Sequence, residues 1–157
     1  MNAEKLKLFM RNYPQGVTVV TTSLDSRLWG ITVSAFTSVS LEPPLILVSI
    51  SKTAPSHEAF TKAKFFAVNL LSHDQSQVSD IFAGLVEGVE KFEKVDYKLS
   101  SNGLPLIDNS VGFLECRVWR MYDGGDHTII LGEVIGGDVT RDAKPLVYYN
   151  RSYTSIK

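Results

Sequence analysis

Apolar and polar positions change their spacing several times along this chain, and each change marks an element. Between residues 3 and 12, Leu6, Phe9 and Met10 fall on one face at helical spacing, which predicts a short amphipathic helix. The stretch NYPQG, Asn12 to Gly16, breaks it. Gly16 to Thr22, GVTVVTT, is β-branched and reads as a strand. LDSR reads as a turn. Gly30 to Ser40 reads as a second strand, straight or kinked, ended by Pro43 and Pro44. Leu45 to Ser51 is apolar on both faces, which predicts a central strand. Thr53 to Ala63 carries helix-start signals, with Thr53 or Ser56 as cap and Pro55 in the first turn. Phe65 to Leu71 reads as a strand, and Asp74 to Ala83 as a helix with Val78, Ile81 and Phe82 on its apolar side. Gly84 to Gly103 is polar and charged and reads as a long loop. Val111 to Met121 and Thr128 to Ile135 read as strands joined by YDGGDH, whose Asp-Gly and Gly-Asp steps suit a hairpin. A turn-rich section from Asp138 or Val139 ends in PLVYYNRSY. About six or seven mostly antiparallel strands with two or three short helices predict a mainly β fold, a closed or nearly closed antiparallel barrel with short flanking helices.

Composition narrows the setting. The chain has 157 residues, which predicts one domain over residues 1–157. A globule of this size hides about 70% of its unfolded surface, enough for a real core. Sixteen Lys and Arg against 17 Asp and Glu give a net charge of -1 and no basic stripe, so a nucleic-acid partner is not expected. No apolar run approaches a membrane span, and MNAEKLKLFMRNYPQG lacks the apolar core of a signal peptide. A cytoplasmic location without membrane association is the expectation. Cys116 excludes an internal disulfide framework. Leu114, Cys116 and Val118 share one face of a strand and Glu115 and Arg117 the other, which predicts a buried thiol. His57, His73 and His127 are scattered, and no Cys/His spacing points to a metal site.

Several chemistries lack their sequence signals. Neither GxGxxG opening a helix nor GxxxxGK[ST] occurs, and there is no GxSxG nucleophile elbow. Three features stand out instead. Trp29 to Ser51, WGITVSAFTSVSLEPPLILVSIS, holds Thr32, Ser34, Thr37, Ser38, Ser40, Ser49 and Ser51. Hydroxyls and bent backbone N–H groups are neutral donors suited to a phosphate or a carbonyl-rich ring; on a barrel they equally line a solvated face. His127 follows Gly124, Gly125 and Asp126 at the foot of a strand, a rim position that also fits a solvated surface histidine. Tyr148, Tyr149 and Tyr153 surround Arg151 near the C-terminus, either as packing or as a stacking and charge platform for a nucleotide.

GITVSAFTSVSLEPPLILVSIS resembles the flavin-binding signature of the flavin reductase-like family, whose fold is the FMN-binding split barrel. GDHTIILGEV resembles that family's second signature and PLVYYNRSY its C-terminal one. The three occur in the family's order between Gly16 and Tyr153. The similarity is greatest to the small reductase components of two-component flavin monooxygenases that serve aromatic hydroxylases, such as 4-hydroxyphenylacetate 3-monooxygenase. The resemblance implies that Thr32, Val33, Ser34 and Ala35 face the flavin ring and ribityl chain, with Ser38 nearby. It implies that Ser49, Ser51, Lys52 and Ser56 surround the phosphate, where a helix N-terminus favours an anion. DIFAGLVEGVEKFE resembles the family's loop over the flavin, which implicates Phe82, Gly84 and Lys91. His127 matches a histidine near the nicotinamide, and Tyr149, Arg151 and Tyr153 belong to the last motif.

The implied activity is NAD(P)H:flavin oxidoreduction. NADH or NADPH gives hydride to FMN or FAD, and the reduced flavin diffuses to a partner oxygenase. Hydride transfer requires stacked rings with reacting atoms about 3–3.5 Å apart. A shallow rim cleft admits both rings without a separate dinucleotide domain. His127 is expected to position the nicotinamide amide, with Lys52 or Lys91 stabilising charge on the reduced ring. A homodimer with its site near the subunit boundary is implied as well. Two other readings stand beside this one: a flavin-binding or electron-transfer protein of the same fold without NAD(P)H turnover, and a barrel that binds another group such as haem.

Overall fold

A computed structural model describes residues 2–157. Helix α1 spans Ala3–Met10, and the Asn2 side chain accepts from the Lys5 backbone N–H at 3.1 Å, a standard N-cap. Strands β1 (Gln15–Gly16), β2 (Thr18–Leu24) and β3 (Arg27–Val33) follow. Asp25 and Ser26 form the β2–β3 loop, both with positive φ (51° and 65°), the conformation that matches the twist of a tight hairpin. The expected strand over residues 30–40 is two strands. The chain breaks at Ser34–Ala35, where the Phe36 N–H donates to the Ser34 carbonyl at 2.9 Å. Beyond the break run β4 (Phe36–Leu41) and β5 (Pro44–Ser51).

Helix α2 covers His57–Lys62, shorter than expected, because Thr53–Ser56 turns before the helix begins. Strand β6 (Phe65–Leu70) and helix α3 (Ser76–Phe82) lie where the periodicity places them. The expected loop over residues 84–103 contains α4 (Lys91–Lys94) and β7 (Tyr97–Leu99), and β7 pairs with β8 (Pro105–Ile107). Strands β9 (Gly112–Gly124) and β10 (His127–Val139) are 13 residues each, longer than the apolar pattern shows. Only Gly125 and Asp126 lie between them, and Gly125 supplies φ 78° at the turn. A last hairpin joins β11 (Leu146–Tyr149) to β12 (Ser152–Ser155) through Asn150 and Arg151, both at positive φ. The described residues therefore hold twelve strands, against the six or seven expected. The surplus is short pairings that hydrophobic period does not reveal.

Seven strands form one antiparallel sheet in the order β3-β2-β6-β9-β10-β5-β4. Its two terminal strands are consecutive in the chain, so Ser34–Ala35 joins the ends of a sheet curled on itself. Inside lies a core of Val20, Val33, Ile46, Val48, Phe60 and Phe66 with their neighbours. Cys116 is fully buried there, and burial pushes its thiol up to about 12. A second core covers the outer face, where Val19, Leu71, Ile81, Phe82 and Ile107 pack under α3. Strand β2 serves both cores through adjacent residues, Val19 outward and Val20 inward. It is buried on both faces from Thr18 to Thr22, as β6 is from Phe66 to Asn69, whereas burial in β5 largely alternates.

Candidate functional site

Strand β3 ends the sheet order, so one of its edges carries backbone groups without a strand partner. Along it lies a cleft of about 380 Å³. Its walls are Trp29, Gly30 and Ile31 of β3, Ala54–Ser56 before α2, and Phe82, Gly84, Lys91 and Phe92 from α3 to α4. Glycine is required at position 30 by close packing: a Cβ there would sit 2.6 Å from the Phe82 ring and 3.2 Å from that of Phe92. Phe82 and Phe92 meet edge to face at 5.1 Å between centroids, and Phe92 meets Tyr97 at 5.3 Å. This aromatic stack holds the segment after α3 against β3. Lys91 forms none of the ion pairs or side-chain hydrogen bonds among the described residues, and burial lowers its pKa. Ser56 is buried at the start of α2 and makes no side-chain capping bond, so its hydroxyl is not spent on the helix.

The cleft thus gathers four of the sequence-predicted residues: Ser56, Phe82, Gly84 and Lys91. A second group sits at the rim. His127 opens β10 and is the cross-strand partner of Ser51. Its Nδ1 lies 2.7 Å from the Asp126 carboxylate, which fixes the ring, and the imidazole lowers the Asp126 pKa in return. Lys52 donates its backbone N–H to the Asp126 carbonyl at 2.9 Å, and its ammonium is paired with Asp123. Ser49 donates its N–H to the Ala35 carbonyl at 3.1 Å, which ties the Ser34–Ala35 break to β5. The Thr53 N–H and hydroxyl both approach the Ser51 hydroxyl, at 3.3 and 3.0 Å. The chain then runs directly from Ser51 to Ser56, from rim to cleft.

Other predicted residues have different surroundings. The Thr32 hydroxyl donates to the Ser79 carbonyl at 2.6 Å, so it anchors α3. Thr18, Thr21 and Thr22 likewise donate to the carbonyls of Val33, Pro105 and Phe65. Much of the hydroxyl richness in these strands is therefore spent on backbone carbonyls. Val33 is buried in the inner core, and Ser38 is exposed on β4 opposite Ile46. The Tyr153 hydroxyl sits 2.8 Å from Ser79 Oγ and 2.6 Å from the Asp80 carboxylate, and burial pushes its phenol up to about 12. Tyr149 and Arg151 do not join the cleft. Both are exposed at the β11–β12 turn, and Arg151 lines a separate cavity with Lys7, Arg11 and Tyr13 of the N-terminal segment.

Sequence reasoning missed Arg27, Trp29, Phe92 and Asp126. Phe92 lies inside a segment read as loop, and Trp29 lies just before the strand read from Gly30. Asp126 carried a signal in its position next to His127.

A family model described as "Flavin reductase like domain" matches residues 10–157. An NADH-dependent FAD reductase from Streptomyces globisporus is 44% identical over 134 residues, 83% of this chain and 73% of that protein. The reductase component of an FADH(2)-dependent resorcinol hydroxylase from Rhizobium sp. is 35% identical over 152 residues, 96% of this chain and 85% of that protein. Among solved structures, the Streptomyces globisporus C-1027 NADH:FAD oxidoreductase SgcE6, in complex with NAD and FAD fragments, superposes with a TM-score of 0.92 at 36% identity. That match covers 99% of this chain and 93% of the other. The curled antiparallel sheet, the motifs in their order and a family match over nearly the whole length agree: this chain belongs to the flavin reductase-like family.

Proposed function

We propose that this chain, acting as one domain over residues 1–157, is an NAD(P)H-dependent flavin reductase that passes reduced flavin to a partner oxygenase. The observation that carries the reading is the cleft along the open edge of β3. It joins aromatic walls, unpaired strand backbone, a free lysine and a free serine hydroxyl. That donor set fits a flavin, which has a flat apolar body, a polar ring edge and an anionic end. Bound FMN or FAD supplies the hydride acceptor, and NADH or NADPH the hydride.

The chain's own residues bind, orient and exclude water. Backbone of Thr32, Val33, Ser34 and Ala35, with Ser38 near the break, holds the ring edge. Phe82, Gly84 and Phe92 close the cleft on the α3 side. Ser49, Ser51 and Ser56 offer hydroxyls to the phosphate. Lys91 stabilises the negative charge that reduction develops, because its ammonium is unpaired and partly desolvated. Lys52 is less suited, since Asp123 already neutralises it. His127, held by Asp126, presents its free ring edge to the nicotinamide amide at the rim. Tyr153 acts at a distance by fixing α3 through Ser79 and Asp80. Tyr149 and Arg151 take no part in this reading because they lie beside the N-terminal segment.

The working form is a homodimer in the cytoplasm. Helix α1 buries none of its residues, and Leu6, Phe9, Leu41 and Val139 are 54%, 70%, 92% and 77% exposed. A second copy of the chain covers such surface at the commonest symmetry. The activity is tested by crossing NADH and NADPH with FMN, FAD and riboflavin and following nicotinamide oxidation.

A further inference from the structure

We propose that His57 is a positioning residue that ties the turn carrying Ser56 to the rim strand carrying His127, so that the phosphate and nicotinamide contacts are held as one unit. The chain from Ser51 to Ser56 runs from rim to cleft, and it is fastened to β10 at both ends. At its start, Ser51 is the cross-strand partner of His127, and the Lys52 N–H donates to the Asp126 carbonyl at 2.9 Å. At its end, His57 Nε2 lies 2.8 Å from Thr128 Oγ1, a contact between residues 71 positions apart. Asp126, His127 and Thr128 are consecutive, so the two ties bracket His127. Neither the His57 nor the Thr128 side chain has another hydrogen bond among the described residues.

Strand alternation places the tie behind the rim. Thr128 shares a face of β10 with Ile130, which belongs to the inner core, and His127 takes the opposite face. Phe60 lies three residues after His57 in α2, on the same side of the helix, and is buried in that core. Phe60 thus seats α2 against the core, and the His57 bond fixes how the first turn of α2 meets β10. The turn has bonds of its own: the Ala54 N–H donates to the Ser51 carbonyl at 3.1 Å, and the His57 N–H to the Ala54 carbonyl at 3.0 Å. Those bonds set its shape; past Lys52, the polar contact that sets its place against β10 is His57 to Thr128. Ser56 is the next residue, so a displaced imidazole carries the Ser56 hydroxyl with it. This inference rests on the proposed flavin reductase reading and deepens it.

The test uses His57→Ala, His57→Gln and Thr128→Val in the full chain, with thermal unfolding followed for each. FMN and riboflavin are titrated separately, and the KM for NAD(P)H is measured at saturating FMN. The ratio of the riboflavin to the FMN dissociation constant reports the phosphate contact, and a general loss of stability cancels from it. His57→Ala and Thr128→Val are each expected to lower that ratio and to raise the KM about fivefold, the scale of one hydrogen bond. Combining the two adds no further loss, because both remove the same bond. His57→Gln keeps an amide that reaches Thr128 and restores most of both. Equal weakening of FMN and riboflavin, a change in the ratio or the KM alone, or no change in either overturns the proposal. A loss that glutamine fails to restore assigns His57 to packing and overturns it as well. A parent chain that oxidises no nicotinamide with any flavin defeats the flavin reductase reading itself, before any variant is compared.

Discussion

At the scale of single residues, the site is defined by what each polar group already holds. Lys52 and Lys91 look equivalent in the sequence, but Asp123 occupies the first and leaves the second free. Thr32 looks like a ligand-facing hydroxyl, yet it bonds the Ser79 carbonyl. Such pairings are long-range and have no local sequence signal, which is why the hydroxyl run was legible as unusual but not as divided between two tasks. His127 was legible because two glycines and an aspartate frame it. We expect His127→Ala to leave FMN affinity nearly unchanged and to raise the KM for NAD(P)H about tenfold, worth about 1.4 kcal/mol. Nicotinamide oxidation at saturating FMN, beside an FMN titration, measures both; lost FMN affinity with a normal KM would move His127 to the flavin. Gly30 gives a sharper steric case. An added methyl meets Phe82 at 2.6 Å, so Gly30→Ala must push the Phe82–Phe92 stack outward. Overpacking of this kind costs about 1–3 kcal/mol. Urea unfolding should show that loss together with weaker flavin binding, and parental behaviour in both would mean the stack is looser than its contacts imply.

At the scale of elements, strands with strong period or β-branched runs were readable, and so was the β9–β10 hairpin from its glycines. The β3–β4 break was open only as a kink somewhere in residues 30–40, because Ser34 and Ala35 carry no proline or glycine to mark its place. Strands β7 and β8 have three residues each, too few to establish a period. One element joint depends on charge. Arg141 donates to both carboxylate oxygens of Asp74 at 3.0 and 2.8 Å and to the Asn109 carbonyl at 2.9 Å, clamping the β10–β11 connection to the turn before α3. Arg141, and then the Ser72 hydroxyl, hold the Asp74 carboxyl well below the usual carboxylate range. The folded state therefore favours the ionised form. Its contribution is complete above the ordinary aspartate pKa of about 3.9 and is lost as pH falls through the lowered folded value. We expect Arg141→Gln to lower the melting temperature modestly at pH 7, since the pair is half exposed. The gap to the parent should narrow as pH drops below about 4. A gap that does not change with pH would assign the Arg141 effect to packing rather than charge.

At the scale of the whole molecule, the curled sheet ends in β3 and β4, and the helical excursion after β6 roofs the β3 edge to make the cleft. Motif order made the family readable from the sequence; the cleft's walls became visible only when α3, α4 and β3 were brought together. The uncovered faces of α1 and of Leu41 and Val139 point to a homodimer. Light scattering at micromolar concentration should give twice the 17.4 kDa chain mass, and a monomer mass would rule that assembly out. The central claim is hydride transfer from a nicotinamide to a flavin held at β3. Its most direct test is steady-state NADH and NADPH oxidation by the purified chain with and without added FMN or FAD. The account predicts saturable, flavin-dependent oxidation of at least one nicotinamide. Tight flavin binding with no nicotinamide oxidation under any pairing would contradict it and leave a flavin carrier in its place.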